Sequence, residues 1–141
     1  MPITPDQITQ ALKRAEGRLG ALYKMGAKWR LDDPSPAGPI DCSGFVRWVL
    51  APWVLIPDGS YHQVGVCKKL PAAVKAAPLD LGFADLSGGD GVVDHVVMVL
   101  NGEEVIEARA KPYSAVIKRP RERWLAQKGF LGFYTVPGIY V

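Results

Sequence analysis

Two thiols and two imidazoles are the side chains in this sequence best suited to nucleophilic chemistry. Cys42 lies in Asp41-Cys42-Ser43-Gly44-Phe45-Val46, after a loop rich in Pro and Gly at 32–40 and ahead of Pro52. That punctuation predicts a helix beginning at the cysteine. Cys42, Phe45, Val46, Val49 and Leu50 recur at helical spacing, which sets the sulfur on the stripe that faces the core. A free cysteine, with a pKa of roughly 8.5, is only slightly ionised at neutral pH, whereas the unpaired N–H groups and dipole of a helix N-terminus favour the thiolate. Position alone fits an ordinary buried cysteine equally well. Cys67, in Gly65-Val66-Cys67-Lys68-Lys69, is expected to be a half-buried spectator, and two cysteines are too few for a disulfide scaffold.

A thiolate hydrolase needs a base near the sulfur and a third group that holds the imidazole in one tautomer. His62 sits in the polar turn Gly59-Ser60-Tyr61-His62-Gln63 and reads as a surface residue. His95 opens an otherwise apolar strand, directly after Asp94, and is the better base, with a hydrogen-bonded core histidine as the alternative.

The elements that must position these groups follow from patterning. Thr4-Pro5-Asp6-Gln7 is a capping box with Pro at the first helical position, and Ile8, Leu12, Ala15, Leu19, Leu22 and Tyr23 predict a helix over about 5–23, weakened at Gly17 and Gly20. A short helix is expected within 63–70 and strands at 79–84, 95–100, 104–109 and 115–118. The loop Ser87-Gly88-Gly89-Asp90-Gly91 separates the first two of these strands, and Asn101-Gly102 marks a hairpin. A short basic helix over 120–127 and a closing strand over 130–136 complete the chain. The run His95-Val96-Val97-Met98-Val99-Leu100 is apolar enough for a central strand covered on both faces. Helices first and an antiparallel sheet after them make the fold class α+β.

The 141 residues fit one domain, 1–141, and 48% apolar with 22% charged residues is ordinary for a globular chain. No run approaches the ~18 apolar residues of a membrane span, and Met1-Pro2-Ile3-Thr4-Pro5-Asp6 lacks the layout of a secretory signal. The net charge is +3, but between Arg109 and Lys128 seven basic residues face the single acid Glu122. That segment is either a solvated face or an attraction to an anionic polymer, for which cell wall or nucleic acid would serve.

Asp41-Cys42-Ser43-Gly44-Phe45-Val46 resembles the nucleophile motif of the NlpC/P60 cell-wall peptidases. Gly26-Ala27-Lys28-Trp29, Gln63, Pro78-Leu79-Asp80-Leu81-Gly82-Phe83 and His95-Val96-Val97-Met98-Val99-Leu100-Asn101-Gly102 are similar to further motifs of that family in the same order. The resemblance covers about 19–110. It implies a papain-like domain, free of metal and cofactor, that hydrolyses amide bonds of peptidoglycan stem peptides, often after γ-linked D-glutamate. It makes Cys42 the attacking thiolate, His95 its base and later acid, and the backbone N–H of Cys42 a contributor to the oxyanion hole. Asp41 and Ser43 occupy positions that in the family help hold the substrate's amino end.

The chain departs from the family at two places. The third catalytic residue is there usually His, Asn or Gln, and the matching position holds Glu107. A three-residue connection Asn101-Gly102-Glu103 pairs Val97 with Glu107 and keeps the carboxylate on the face of His95, whereas a two-residue turn sends it to the other face. Asp94 or water is the fallback. The second departure is Trp29, near the family's tyrosine whose hydroxyl points at the nucleophile. Tyr23 is the alternative donor, and either aromatic reads equally as core.

The expected function is therefore a peptidoglycan-cleaving cysteine peptidase or amidase acting as a monomer, with the stem peptide as partner and no nucleic acid. Without a signal, it is expected to be made in the cytoplasm and to reach the wall by release or injection, as a phage lysin, tail-borne enzyme or effector would. The segment 124–136 resembles phage-type members. Two alternatives keep the fold: an acyl hydrolase or transferase acting on a lipid or small molecule, and a catalytically lapsed domain that binds wall through 118–123.

Overall fold

The chain opens with α1, Pro5–Glu16, whose N-cap is Thr4 in a complete capping box with Gln7. The computed structural model describes residues 2–87 and 89–141, so Met1, and Gly88 in the expected loop, lie outside the described residues. The helix ends earlier than the apolar stripe predicts. Gly17 caps it, and Gly20, at φ 87°, turns the chain through a conformation that side-chain-bearing residues avoid. Leu22 then bridges to Ala115 and Tyr23 to Ile40, which carries Tyr23 to the approach of Cys42.

The helix α2, Cys42–Leu50, begins at the expected residue because the Asp41 carboxylate accepts from the Gly44 N–H at 2.7 Å. Its far end is held by Arg14 of α1, which donates to the carbonyls of Trp48 and Val49 and lies 3.8 Å over the Trp48 ring. A cation there both satisfies orphan carbonyls and opposes the negative end of the helix dipole. Next come α3, Ser60–Val66, and the short strand β1, Lys68–Lys69, where the sequence suggested one helix running on to residue 70.

The remaining elements are β2 (Leu81–Ala84), β3 (His95–Val99), β4 (Glu104–Arg109), β5 (Ala115–Pro120), α4 (Arg121–Leu125) and β6 (Phe130–Thr135). They form an antiparallel sheet of order β1-β6-β2-β3-β4-β5. The structure is thus α+β, with helices packed on an antiparallel sheet. β3 is buried along its whole length, as its unbroken apolar run predicts. Val96 and Met98 join the larger core with Phe45, Val46 and Val49 of α2. Val97 and Val99 turn the other way, into a smaller core with Val105 and Trp124. Each such buried side chain contributes on the order of 1.5–3 kcal/mol relative to exposure, and together they fix the angle at which α2 meets the first residue of β3. Among the described residues no helix is long and apolar enough to cross a membrane.

Candidate active site

Cys42 is the first residue of α2 and is 8% exposed. Its backbone N–H is given to no acceptor among the described residues, as the geometry of a first helical residue dictates. Two buried side chains hold the helix start in place: Asp41 as N-cap, and Gln63 of α3, whose amide donates to the Ser43 and Pro57 carbonyls at 3.0 Å each. Gly44 is needed at this turn because a Cβ would lie 2.8 Å from Asp41 Oδ1 and 2.9 Å from both Ile40 and Lys28. Gly44→Ala is therefore expected to lower stability by about 1–3 kcal/mol, read as a drop in Tm, by pushing the cap away from the helix.

His95 belongs to both layers. As the first residue of β3 it sits at the strand's end, stacked on the Trp124 ring at 5.4 Å and within interaction range of Cys42. Its Nε2 lies 2.9 Å from Glu107 Oε1, which leaves Nδ1 for the sulfur. The register explains the contact with Glu107. Met98 pairs with Ile106 and Val99 with Val105, so the hairpin has the three-residue connection and Glu107 shares the face of His95.

Glu107 is fully buried and fully engaged. Besides His95 it accepts from Arg109 Nη1 at 3.1 Å and from Trp124 Nε1 at 2.6 Å. Burial alone would raise its pKa; the bonds to His95 and Trp124 and the charges of His95 and Arg109 outweigh this and hold it below the ordinary carboxylate range. Burial likewise works against a charged His95, but the Cys42 and Glu107 side chains prevail and raise it to about 9. A ring held protonated between a thiol and a buried carboxylate is placed to serve as the acid of a cysteine hydrolase.

Trp124 and Arg109 escaped the sequence reading. Trp124 is 0% exposed, and an indole buried so deeply needs a partner for its N–H, a signal that the basic character of its helix obscures. Arg109 and Arg119 both lie over the ring, at 5.0 and 5.4 Å. Part of the basic segment is thus turned inward, since Arg121 too is buried, donating to the Ala76 and Asn101 carbonyls. Lys111, Arg123 and Lys128 remain exposed.

Asp94 does not serve as third group, because its carboxylate is occupied by the backbone N–H groups of Leu86 and Ser87. His62 is exposed beside Tyr61, as its turn sequence predicts. Trp29 gives its indole N–H to the Gly38 carbonyl at 3.1 Å and packs edge-on against Phe45 and Trp48, which is a core placement. Tyr23 instead comes near the sulfur. Burial first, then the charges of Cys42 and Asp41, raise its hydroxyl above the ordinary value, so it stands there as a proton-bearing donor. Cys67 is half-buried, and burial with the charge of Asp80 pushes its thiol up to about 11.

The fold has counterparts among solved structures. The P60 domain of an antigen from Mycobacterium avium subspecies paratuberculosis matches at 28% identity and a TM-score of 0.75, over 96% of this chain and 97% of that one. The peptidoglycan hydrolase RipB from Mycobacterium tuberculosis matches at 27% identity and a TM-score of 0.73, over 96% of this chain. The chain has the fold of the NlpC/P60 domains.

The chain spans 66% of RipB and 44% of an NLP/P60-family protein from Staphylococcus aureus, which it matches in fold at 20% identity and a TM-score of 0.76. It also shares its fold, at 14% identity and a TM-score of 0.71, with RipD from M. tuberculosis, described as a non-catalytic NlpC/p60 domain protein adapted to peptidoglycan binding. No sequence-family model matches the chain, and no curated protein sequence does. Among the described residues no three His, Cys, Asp or Glu side chains cluster as metal ligands would. A hollow of about 770 Å³ lies under α4 beside Lys75, Arg121 and Phe133, and no residue of the cysteine site lines it.

Proposed function

We propose that this NlpC/P60 domain is a cysteine hydrolase that cleaves amide bonds in peptidoglycan stem peptides. What supports the reading is Cys42 at the head of α2, the His95 ring that its side chain helps to hold protonated, and the buried Glu107 at 2.9 Å from that ring. In this mechanism the Cys42 thiolate attacks the scissile carbonyl. The Cys42 N–H and the Tyr23 hydroxyl donate to the developing oxyanion, and His95 gives its proton to the leaving amine. The ring then accepts a proton from water, which attacks the thioester and releases the acid. Glu107 holds Nε2–H, and Trp124 and Arg109 hold Glu107.

RipB, at 27% identity, supports the substrate class by its description as a peptidoglycan hydrolase. The surroundings of Cys42 argue against a lipid substrate, because Lys28, Asp41 and Asp58 set a charged cluster beside it. The wall-binding reading that RipD exemplifies gives no role to a cysteine, histidine and glutamate held in register. Mass spectrometry of soluble material from purified sacculi decides between them. Fragments carrying new amino and carboxyl termini within the stem peptide are expected, whereas tight binding to sacculi with no released fragment would support the binding domain.

A further inference from the structure

Beside the nucleophile the protein has placed a cation of its own. The Lys28 ammonium lies 2.7 and 2.6 Å from the two Asp41 carboxylate oxygens, 3.1 Å from Ser43 Oγ and 2.7 Å from Asp58 Oδ1. Asp41 and Ser43 are the chain neighbours of Cys42, and both are buried. An ammonium has three N–H donors, and these oxygens occupy all of them. The lysine stem lies along the first turn of α2, its Cδ close enough to meet a Cβ at Gly44. Burial opposes the charge of Lys28, but the bonds to Asp41 and Asp58 outweigh it and raise its pKa, so the cation persists at every working pH.

Two carboxylates and a hydroxyl converging on one point form a receptor for an ammonium group. Here the receptor is filled from within. Its charges are also balanced, since Arg47 lies near enough to Asp58 to act on it, giving two cations for two carboxylates. A second ammonium brought to this side of Cys42 would find its acceptors taken and a like charge beside it.

We propose that Lys28 is a specificity-determining residue that excludes a charged amino terminus, so that the domain acts on stem peptides whose amino end is acylated. In the intact wall that end is an amide to the sugar, whereas in free stem peptides it is an ammonium. This inference rests on the peptidase reading above and names its substrate as assembled wall rather than released peptide. If Lys28 merely neutralises Asp41, its removal changes stability or overall rate and leaves the choice between the two kinds of peptide untouched.

The test compares a stem tripeptide with a free amino terminus and the same tripeptide N-acetylated. Wild type is expected to favour the acetylated peptide by about tenfold or more in kcat/KM, and Lys28→Met to move that ratio toward the free amine by a similar factor. A wild-type preference for the free amine overturns the proposal, as does an unchanged ratio in a folded Lys28→Met protein; the wild-type ratio decides even if that variant does not fold. Calorimetric binding of both peptides to Cys42→Ala supplies the same comparison without turnover, and equal affinity, or binding of neither, likewise overturns it. Sacculi keep the two levels apart. Release of wall fragments together with a free-amine preference sinks only the role of Lys28, while no cleavage of sacculi or of either peptide sinks the peptidase reading.

Discussion

Cys42→Ala is expected to lower the rate of stem-peptide hydrolysis by about 10⁴-fold or more, the order seen when a covalent nucleophile is removed, while Cys67→Ala leaves it within about twofold. The contrast follows from where the two thiols sit. Cys42 heads a helix, with a free backbone N–H at its own position and a protonated imidazole beside it. Cys67 ends α3 in a half-buried spot beside Asp80, with a thiol that titrates near 11 and stays protonated at neutral pH. Steady-state rates on sacculi or on a stem peptide give the comparison, with circular dichroism confirming that both variants fold. Equal losses would mean that the nucleophile has been misassigned.

The second large effect lies at Glu107. Glu107→Leu is expected to reduce the rate by about 10²–10⁴-fold, because the ring loses its tautomer and orientation. It should also cost about 2–4 kcal/mol of stability, because His95, Arg109 and Trp124 are left with buried donors and no acceptor. Glu107→Gln separates charge from orientation. The amide oxygen can still accept from Nε2–H, so the rate near neutral pH should fall only about tenfold, but one of the two groups that raise His95 is gone. In wild type the imidazolium, and with it the proton for the leaving amine, is lost as pH rises through about 9. In Glu107→Gln this alkaline limb should begin at lower pH. Stability follows the same sign: the charged ring's contribution is complete below its ordinary value of 6.5 and disappears as pH rises through about 9. A pH–rate profile and a pH–Tm profile of both proteins read this directly, and coincident alkaline limbs would contradict the assigned role of Glu107.

Much of this site can be read in the sequence because local rules determine it. The head of α2 is set by Asp41 as cap, Pro52 beyond its end and a helical stripe between them, and the structure begins the helix at the expected cysteine. The face of Glu107 depended on one quantity, the length of the hairpin loop, which Asn101-Gly102 leaves ambiguous between two and three residues. The backbone resolved it through Asn101, whose side chain accepts from both Glu103 and Glu104 N–H groups and so commits the longer turn. Beyond local rules the sequence said less. Trp124 meets Glu107 only because α4 folds back over β4, a tertiary event with no periodic signature, whereas Arg109, two residues on in β4, shares the face of Glu107 by strand alternation. Lys28 sits in a loop whose motif carries no signal for the lysine's partner, and its bond to Asp41 spans 13 residues. Trp29 and Tyr23 exchanged the weights that family position suggested, because the first helix ended at Gly17 and the turn at Gly20 brought Tyr23, not the indole N–H, toward the sulfur.

The joint action of Cys42, His95 and Glu107 is tested most directly by an NMR titration of the His95 ring in wild type and in Cys42→Ala. With the pair intact, the ring should stay protonated through neutral pH, titrate near 9 and shift to lower pH when the sulfur is removed. A ring that titrates at or below 6.5 in both proteins would show that the cysteine and histidine do not act together, and the mechanism drawn here would be wrong.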